Sequence, residues 1–197
     1  LSFLVGASFV GAEWSAGTLP GLLLVEPRRS RVVLAKAAAL AAGVALAGGL
    51  LLGAVLGGHY LVAALRGDLT GANVSVAALT GGRALVLGLV AGGLGFALAG
   101  SLRGTAVALG GGFAYFLGGE VVARALFGRV DQWLFVPNVT ALLEKGTKLN
   151  YVVCDANRTC TDRIVTISAW QGAAYLLALV ALGLLAFLVT FRRRDLT

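Results

Sequence analysis

Methionine is absent from the 197 residues, histidine occurs once, cysteine twice and proline three times. One His and two Cys fall short of the three or four N/S ligands that a zinc site takes, so no metal site is expected. The chain has no His-Glu-x-x-His, no paired aspartates inside its apolar runs and no nucleophile with a histidine near it, so no catalytic residues are assigned and the chain is not read as an enzyme. A Gly-rich phosphate loop ending in Gly-Lys-Ser/Thr is also missing, which leaves nothing here to hydrolyse ATP. With no methionine and Leu1 at its start, the numbering is expected to begin inside a longer protein. Residues 1–11 then read as the end of a truncated span, shorter than the ~20 apolar residues a crossing needs and without the basic start and cleavage site of a signal peptide.

What is present is apolar. Hydrophobic residues make up 58%, charged residues only 13%, glycine 29 positions, and the mean hydropathy is +0.90. This balance belongs to an integral membrane protein. The formal charge of +7 does not point to nucleic acid, because the basic residues stand at the ends of apolar runs and in loops rather than along a groove with interleaved aromatics. Complete spans are expected over 32–58, 84–102, 105–127 and 168–191. The second and third form a hairpin about the short turn Ser101-Leu102-Arg103-Gly104. Lys36 is the only charge in the first of these spans and is expected to snorkel to the headgroups. Gly49, Gly53 and Gly57 recur every fourth residue, and Gly110 to Gly112 run together; both read either as close-packing faces or as filler. His59, alone at a span end, reads as an interfacial residue.

Residues 12–31 separate two apolar runs with polar, basic and Pro-punctuated sequence. Glu13 to Leu24 reads as a short amphipathic helix, Glu26-Pro27 breaks it, and Arg28, Arg29 and Arg31 stand at the mouth of the next run. One reading is a loop whose arginines hold that end in the cytoplasm. The pattern Glu13, Gly17-Thr18-Leu19, Pro27-Arg28, Ser30-Arg31 and Lys36, together with the C-terminal Phe-Arg-Arg-Arg-Asp-Leu, resembles permease subunits of type 2 (ABCG-like) ATP-binding-cassette exporters of bacteria. The resemblance implies a six-span bundle whose first span and part of the second precede Leu1. It implies that Glu13, Gly17, Thr18, Pro27, Arg28 and Arg31 couple to a cytoplasmic ATPase, that ATP and Mg are bound by that partner rather than by this chain, and that a second permease subunit completes the transporter.

Residues 128–167 form the only substantial soluble element. Trp133 marks an interface, Asn138 to Lys145 is expected as a short surface helix begun by Pro137, and Leu149 to Cys154 with Cys160 to Ile167 reads as a β-hairpin about residues 155–159. Cys154 and Cys160 fall at the inner strand ends. That placement suits a disulfide, and hence an oxidising, extracellular loop. Glu120 and Arg124, one helical turn apart near the end of the third span, are expected to pair within the membrane; an ionisable pair at that depth is either structural or functional. Arg192 to Arg194 would hold residues 192–197 in the cytoplasm and set a multi-pass plasma-membrane topology.

The fold expected is an all-α polytopic transmembrane bundle with an N-terminal amphipathic coupling helix and a small extracellular disulfide-closed hairpin. Membrane lipid and the two kinds of subunit are the expected partners. The alternatives are a structural or sensory membrane subunit and an intramembrane enzyme.

Overall fold

The computed structural model describes residues 1–18, 28–66, 74–126, 130–154 and 160–193; the side chains of Arg29, Val74, Asp131, Arg193 and residues 151–154 and 160–163 lie outside the description. Its elements are α1 (Ser2–Ser15), α2 (Arg29–Leu65), α3 (Val74–Leu102), α4 (Thr105–Ala114), a π-helical turn (Tyr115–Gly119), α5 (Glu120–Leu126), a 3-10 turn (Asp131–Trp133), α6 (Phe135–Leu143), β1 (Gly146–Cys154), β2 (Cys160–Ser168) and α7 (Ala169–Arg193). Among the described residues four helical stretches, Ser30–Leu65, Ser75–Leu102, Thr105–Leu126 and Ala169–Arg192, are long and apolar enough to cross a membrane. The protein is a mostly helical membrane protein, with one two-stranded sheet among the described residues.

The helices overrun the expected spans. At 1.5 Å per residue the 37 residues of α2 extend about 55 Å, well beyond a hydrocarbon core of ~30 Å. Gly57-Gly58 does not end it, because Leu61 to Leu65 after it are helix-compatible and the backbone bonds continue to Arg66. Likewise α3 begins at Val74, so the stretch between the first two expected spans is largely helical; within it 67–73 lie outside the described residues.

Two compact units divide the chain, one of Leu1–Ala108 with Leu182–Thr197 and one of Leu109–Ala181. In the first, α3 is the central helix and packs on α1 and α2. Glycine makes the α1 contact possible. A Cβ at Gly6 would meet the backbone of Gly92, and one at Gly95 the carbonyl of Phe3, so the two helices approach backbone to backbone. Phe96 of α3 is fully buried, with ring centroids 5.5 Å from Phe187 of α7 and 6.5 Å from Phe9 of α1. By contrast, a Cβ at Gly49, Gly53, Gly57, Gly110 or Gly111 would meet no described atom within 4 Å. The face of Gly49, Gly53 and Gly57 therefore contacts no helix within the described chain, and of the second run Gly110 and Gly111 face open space while Gly112 is buried. Leu46, Leu50, Leu51 and Val55 on α2 are exposed too, the surface a lipid-facing helix presents.

The second unit holds the sheet. β1 and β2 pair antiparallel from Gly146↔Ser168 to Cys154↔Cys160, a longer ladder than the sequence marks, because the turn out of α6 goes directly into the strand through Lys145 (φ 67) and Gly146 (φ 130). The two cysteines are opposed at the last register position, but their side chains lie outside the described residues. The described residues show the backbone pairing of the hairpin and no disulfide, so the expected disulfide closure is not supported here. Helix α6 runs from Phe135, three residues earlier than expected, and buries Pro137, Asn138, Ala141 and Leu142.

Candidate functional site

The residues expected to couple to an ATPase are distributed differently from the sequence reading. Glu13 lies in the last turn of α1 and does not start a new helix; the break falls after it, at Ala16 and Gly17. Ala16 donates its N–H to Ala12 O, Gly17 donates to Trp14 O, and Gly17 takes φ 65, the left-handed conformation that closes helix C-termini. The Ser15 hydroxyl donates back to Gly11 O and Ala12 O at 3.1 and 2.9 Å, holding that last turn. The Thr18 hydroxyl donates to Glu13 O at 3.4 Å. Residues 19–27, including Pro27 and the expected amphipathic helix to Leu24, lie outside the described residues. Arg28 is the N-cap residue of α2 and is exposed, as is Arg31.

The Glu13 carboxylate has an internal partner. It accepts from Lys36 Nζ of α2 in an ion pair whose side chains are 17% (Lys) and 29% (Glu) exposed. Phe9, one turn before Glu13 on α1, places its ring centroid 5.8 Å from the same ammonium. Lys36 is thus held by a carboxylate and an aromatic face rather than snorkelling alone. Beside this pair, Arg103 takes φ 58 in the turn between α3 and α4 and stacks its guanidinium 4.9 Å from the Trp14 ring centroid. The Gly104 N–H donates to Ala99 O, a closure that puts Arg103 at the left-handed position usually given to glycine. Trp14 also meets Phe191 edge-on at 6.0 Å. The ends of α1, α3 and α7 are therefore tied together around Trp14.

The second unit centres on Glu120, which is only 3% exposed. Sequence spacing pairs it with Arg124, and that contact exists, but at 3.8 Å from Arg124 Nη2 to Oε2 it is long, and Arg124 is 43% exposed. The close contacts are elsewhere. Glu120 Oε1 accepts the backbone N–H groups of Phe135 at 2.6 Å and Val136 at 3.0 Å, and the Tyr115 hydroxyl at 3.3 Å. Phe135 and Val136 are the first two residues of α6, and the third, Pro137, has no N–H to satisfy. A side chain from α5 therefore caps α6. Tyr115 and Glu120 are five residues apart, which in an α-helix points them away from each other; the intervening π-helical turn aligns them. The rest of the cluster is polar as well: the Asn138 amide donates to Gln132 O (2.9 Å) and Leu134 O (2.7 Å), and the Tyr175 hydroxyl donates to Trp133 O.

Sequence reasoning missed this cap because its acceptor and donors lie 15 and 16 residues apart with no local pattern between them. The signal available was Pro137 in a helix lacking a Ser, Thr, Asp or Asn cap at Leu134. No group of His, Cys, Asp and Glu suited to a metal occurs among the described residues. No protein-family description, curated protein or solved structure matches the chain.

Proposed function

We propose that the chain is the transmembrane permease subunit of an ATP-driven exporter, working with a separate cytoplasmic ATPase and a second permease subunit. In this reading the α1–α2 junction and the α3–α4 turn face the cytoplasm, with the C-terminal arginines, while α6 and the hairpin lie outside. The observation that carries it is the α1–α2 junction: a helix closed at Gly17, a connecting segment, and a long apolar helix opened by exposed Arg28 and Arg31. A segment of that build, tied to the bundle by Glu13 and Lys36, would convert a push from a soluble partner into a tilt of α2.

The direct test is affinity purification of the protein from native membranes in mild detergent. A soluble ATPase is expected in the complex. Arg28→Ala with Arg31→Ala should weaken its retention by about tenfold or more, since charge contacts at such a surface govern association and tenfold corresponds to about 1.4 kcal/mol. A complex with no ATPase, or one unaffected by the double change, counts against the reading.

The extracellular placement carries its own prediction. Cys154 and Cys160, opposed in register across a five-residue tip, form a disulfide. Closing so short a loop adds about 2 kcal/mol at most, because the entropic gain grows with loop size. Mass spectrometry of unreduced peptides should find residues 154 and 160 crosslinked; two free thiols would remove both the bond and this argument for an outside loop.

A further inference from the structure

From the contacts of Glu120 we infer that it is a positioning residue whose single oxygen, Oε1, holds helix α6 docked, so that α6 is released as a unit when this acceptor is lost. The inference goes beyond the permease reading and does not depend on it. Three donors converge on Oε1, whereas among the described residues Oε2 meets the guanidinium of Arg124 at 3.8 Å. Docking therefore needs the oxygen, and a neutral amide oxygen supplies an acceptor at the same place, though a weaker one than a carboxylate.

The geometry makes the cap decisive for α6. Of the first three residues of the helix, one lacks an N–H and the other two give theirs to Glu120, so among the described residues Glu120 is the acceptor for both free N–H groups of that first turn. Leu134, the N-cap residue, contributes no side-chain oxygen. The ring of Phe135 packs edge-on against Phe116 at 5.3 Å, and Phe116 belongs to the same π-helical turn that brings Tyr115 onto Glu120. A shift of that turn back to regular α-helix would rotate Tyr115, Phe116 and Glu120 relative to one another. The π turn and the cap are thus one device, joining the helix of Glu120 to α6 through contacts that change together. Among the described side chains, the charged and titratable groups around the carboxylate are Arg124 on its own helix and Tyr115 one π turn before it, with Tyr175 of α7 tied to Trp133 just ahead of α6.

The fully buried Ala141 on α6 is a reporter of docking. Ala141→Cys is introduced into the full chain carrying Cys154→Ala and Cys160→Ala, purified in nanodiscs so that both faces are reached, and labelled with a polar maleimide. The parent should label slowly. Glu120→Ala should label about tenfold or more faster, as a locally opened segment does, and Glu120→Gln should stay within about threefold of the parent. Equal slow labelling in Glu120→Ala overturns the inference, and so does labelling of Glu120→Gln as fast as Glu120→Ala, which would make the charge rather than the oxygen responsible. Should Glu120→Ala not be recovered folded, hydrogen exchange in the unsubstituted chain decides: the Phe135 and Val136 amides must be protected to the level of the α6 interior, and exchange at the rate of open amides rejects the cap. Neither measurement uses an ATPase, so their failure and the failure of the permease reading are separate results.

Discussion

Gly95→Leu should disrupt the pairing of α1 with α3, whereas Gly53→Leu should leave the bundle intact. A Cβ at Gly95 would collide with the Phe3 carbonyl oxygen and lie 3.0 Å from Phe3 C and 3.1 Å from Ala7 N, all backbone atoms of α1. Backbone cannot swing aside as a flexible side chain does, so the helices must separate. Separation also uncovers Ala7 and Val10, both fully buried. Overpacking a core costs about 1–3 kcal/mol when side chains can adjust, and here the cost should lie at or above the top of that range. For a chain of this size about 3 kcal/mol corresponds to roughly 10 °C in thermal midpoint. Gly6→Leu should behave alike, because its Cβ would meet Gly92 with C and Cα at 2.8 and 3.0 Å. At Gly53 nothing stands within 4 Å, so the added side chain enters open space. Thermal unfolding in mild detergent, followed by intrinsic fluorescence and size exclusion, tests the contrast. A Gly95→Leu midpoint within a degree or two of the parent would mean the two helices are not in backbone contact. Gly53→Leu that lowers the recovery of an oligomer, while leaving the monomer midpoint unchanged, would place that face against a second subunit.

The same glycines show how far the sequence could be read. Apolar run lengths identify the spans, since twenty uncharged residues leave a chain few alternatives to crossing as a helix. They do not identify helix ends. Leu61 to Leu65 and Ser75 to Gly82 lengthen α2 and α3 because nothing in them stops a helix, and hydropathy alone treats them as loop. Nor does the spacing of small residues reveal which face is used. Gly49, Gly53 and Gly57 have the regular period and meet no described neighbour, while Gly6, Gly92 and Gly95, split between two helices, make the closest approach. Periodicity is a property of one helix, and contact is a property of two. The hairpin was legible from its β-branched strands. The Glu120 cap was not, because Arg124 offered a nearer charge and a simpler account. In the fold that charge is the weaker contact, as a half-exposed guanidinium at 3.8 Å competes with two backbone N–H groups at 2.6 and 3.0 Å.

Glu13→Ala should destabilise the bundle, and Glu13→Ala combined with Lys36→Ala should recover most of the loss. The ion pair joins α1 to α2, and Lys36 is two turns inside a helix whose residues 32–58 are otherwise all Val, Leu, Ala and Gly. Removing the carboxylate leaves an ammonium that is 17% exposed with the Phe9 ring as its remaining described partner. Breaking a buried pair costs about 3–5 kcal/mol because the surviving charge stays desolvated; the partial exposure of both groups brings the expected loss to about 2–3 kcal/mol. Removing both charges takes away the penalty along with the attraction, so the double variant should be close to the parent. The double-mutant cycle should therefore give a coupling of about 2 kcal/mol, where independent sites would add. Additive losses would mean that the two side chains do not interact. The cycle also separates two roles for Glu13 that the sequence merges. A double variant that is stable and still retains an ATPase would confine Glu13 to the α1–α2 contact and leave docking to Arg28 and Arg31. A double variant equally stable but unable to retain the ATPase would mean that Glu13, or Lys36 through it, also takes part in docking. Glu13→Ala alone cannot decide, because a loosened α1 would shift the whole junction that Arg28 and Arg31 occupy.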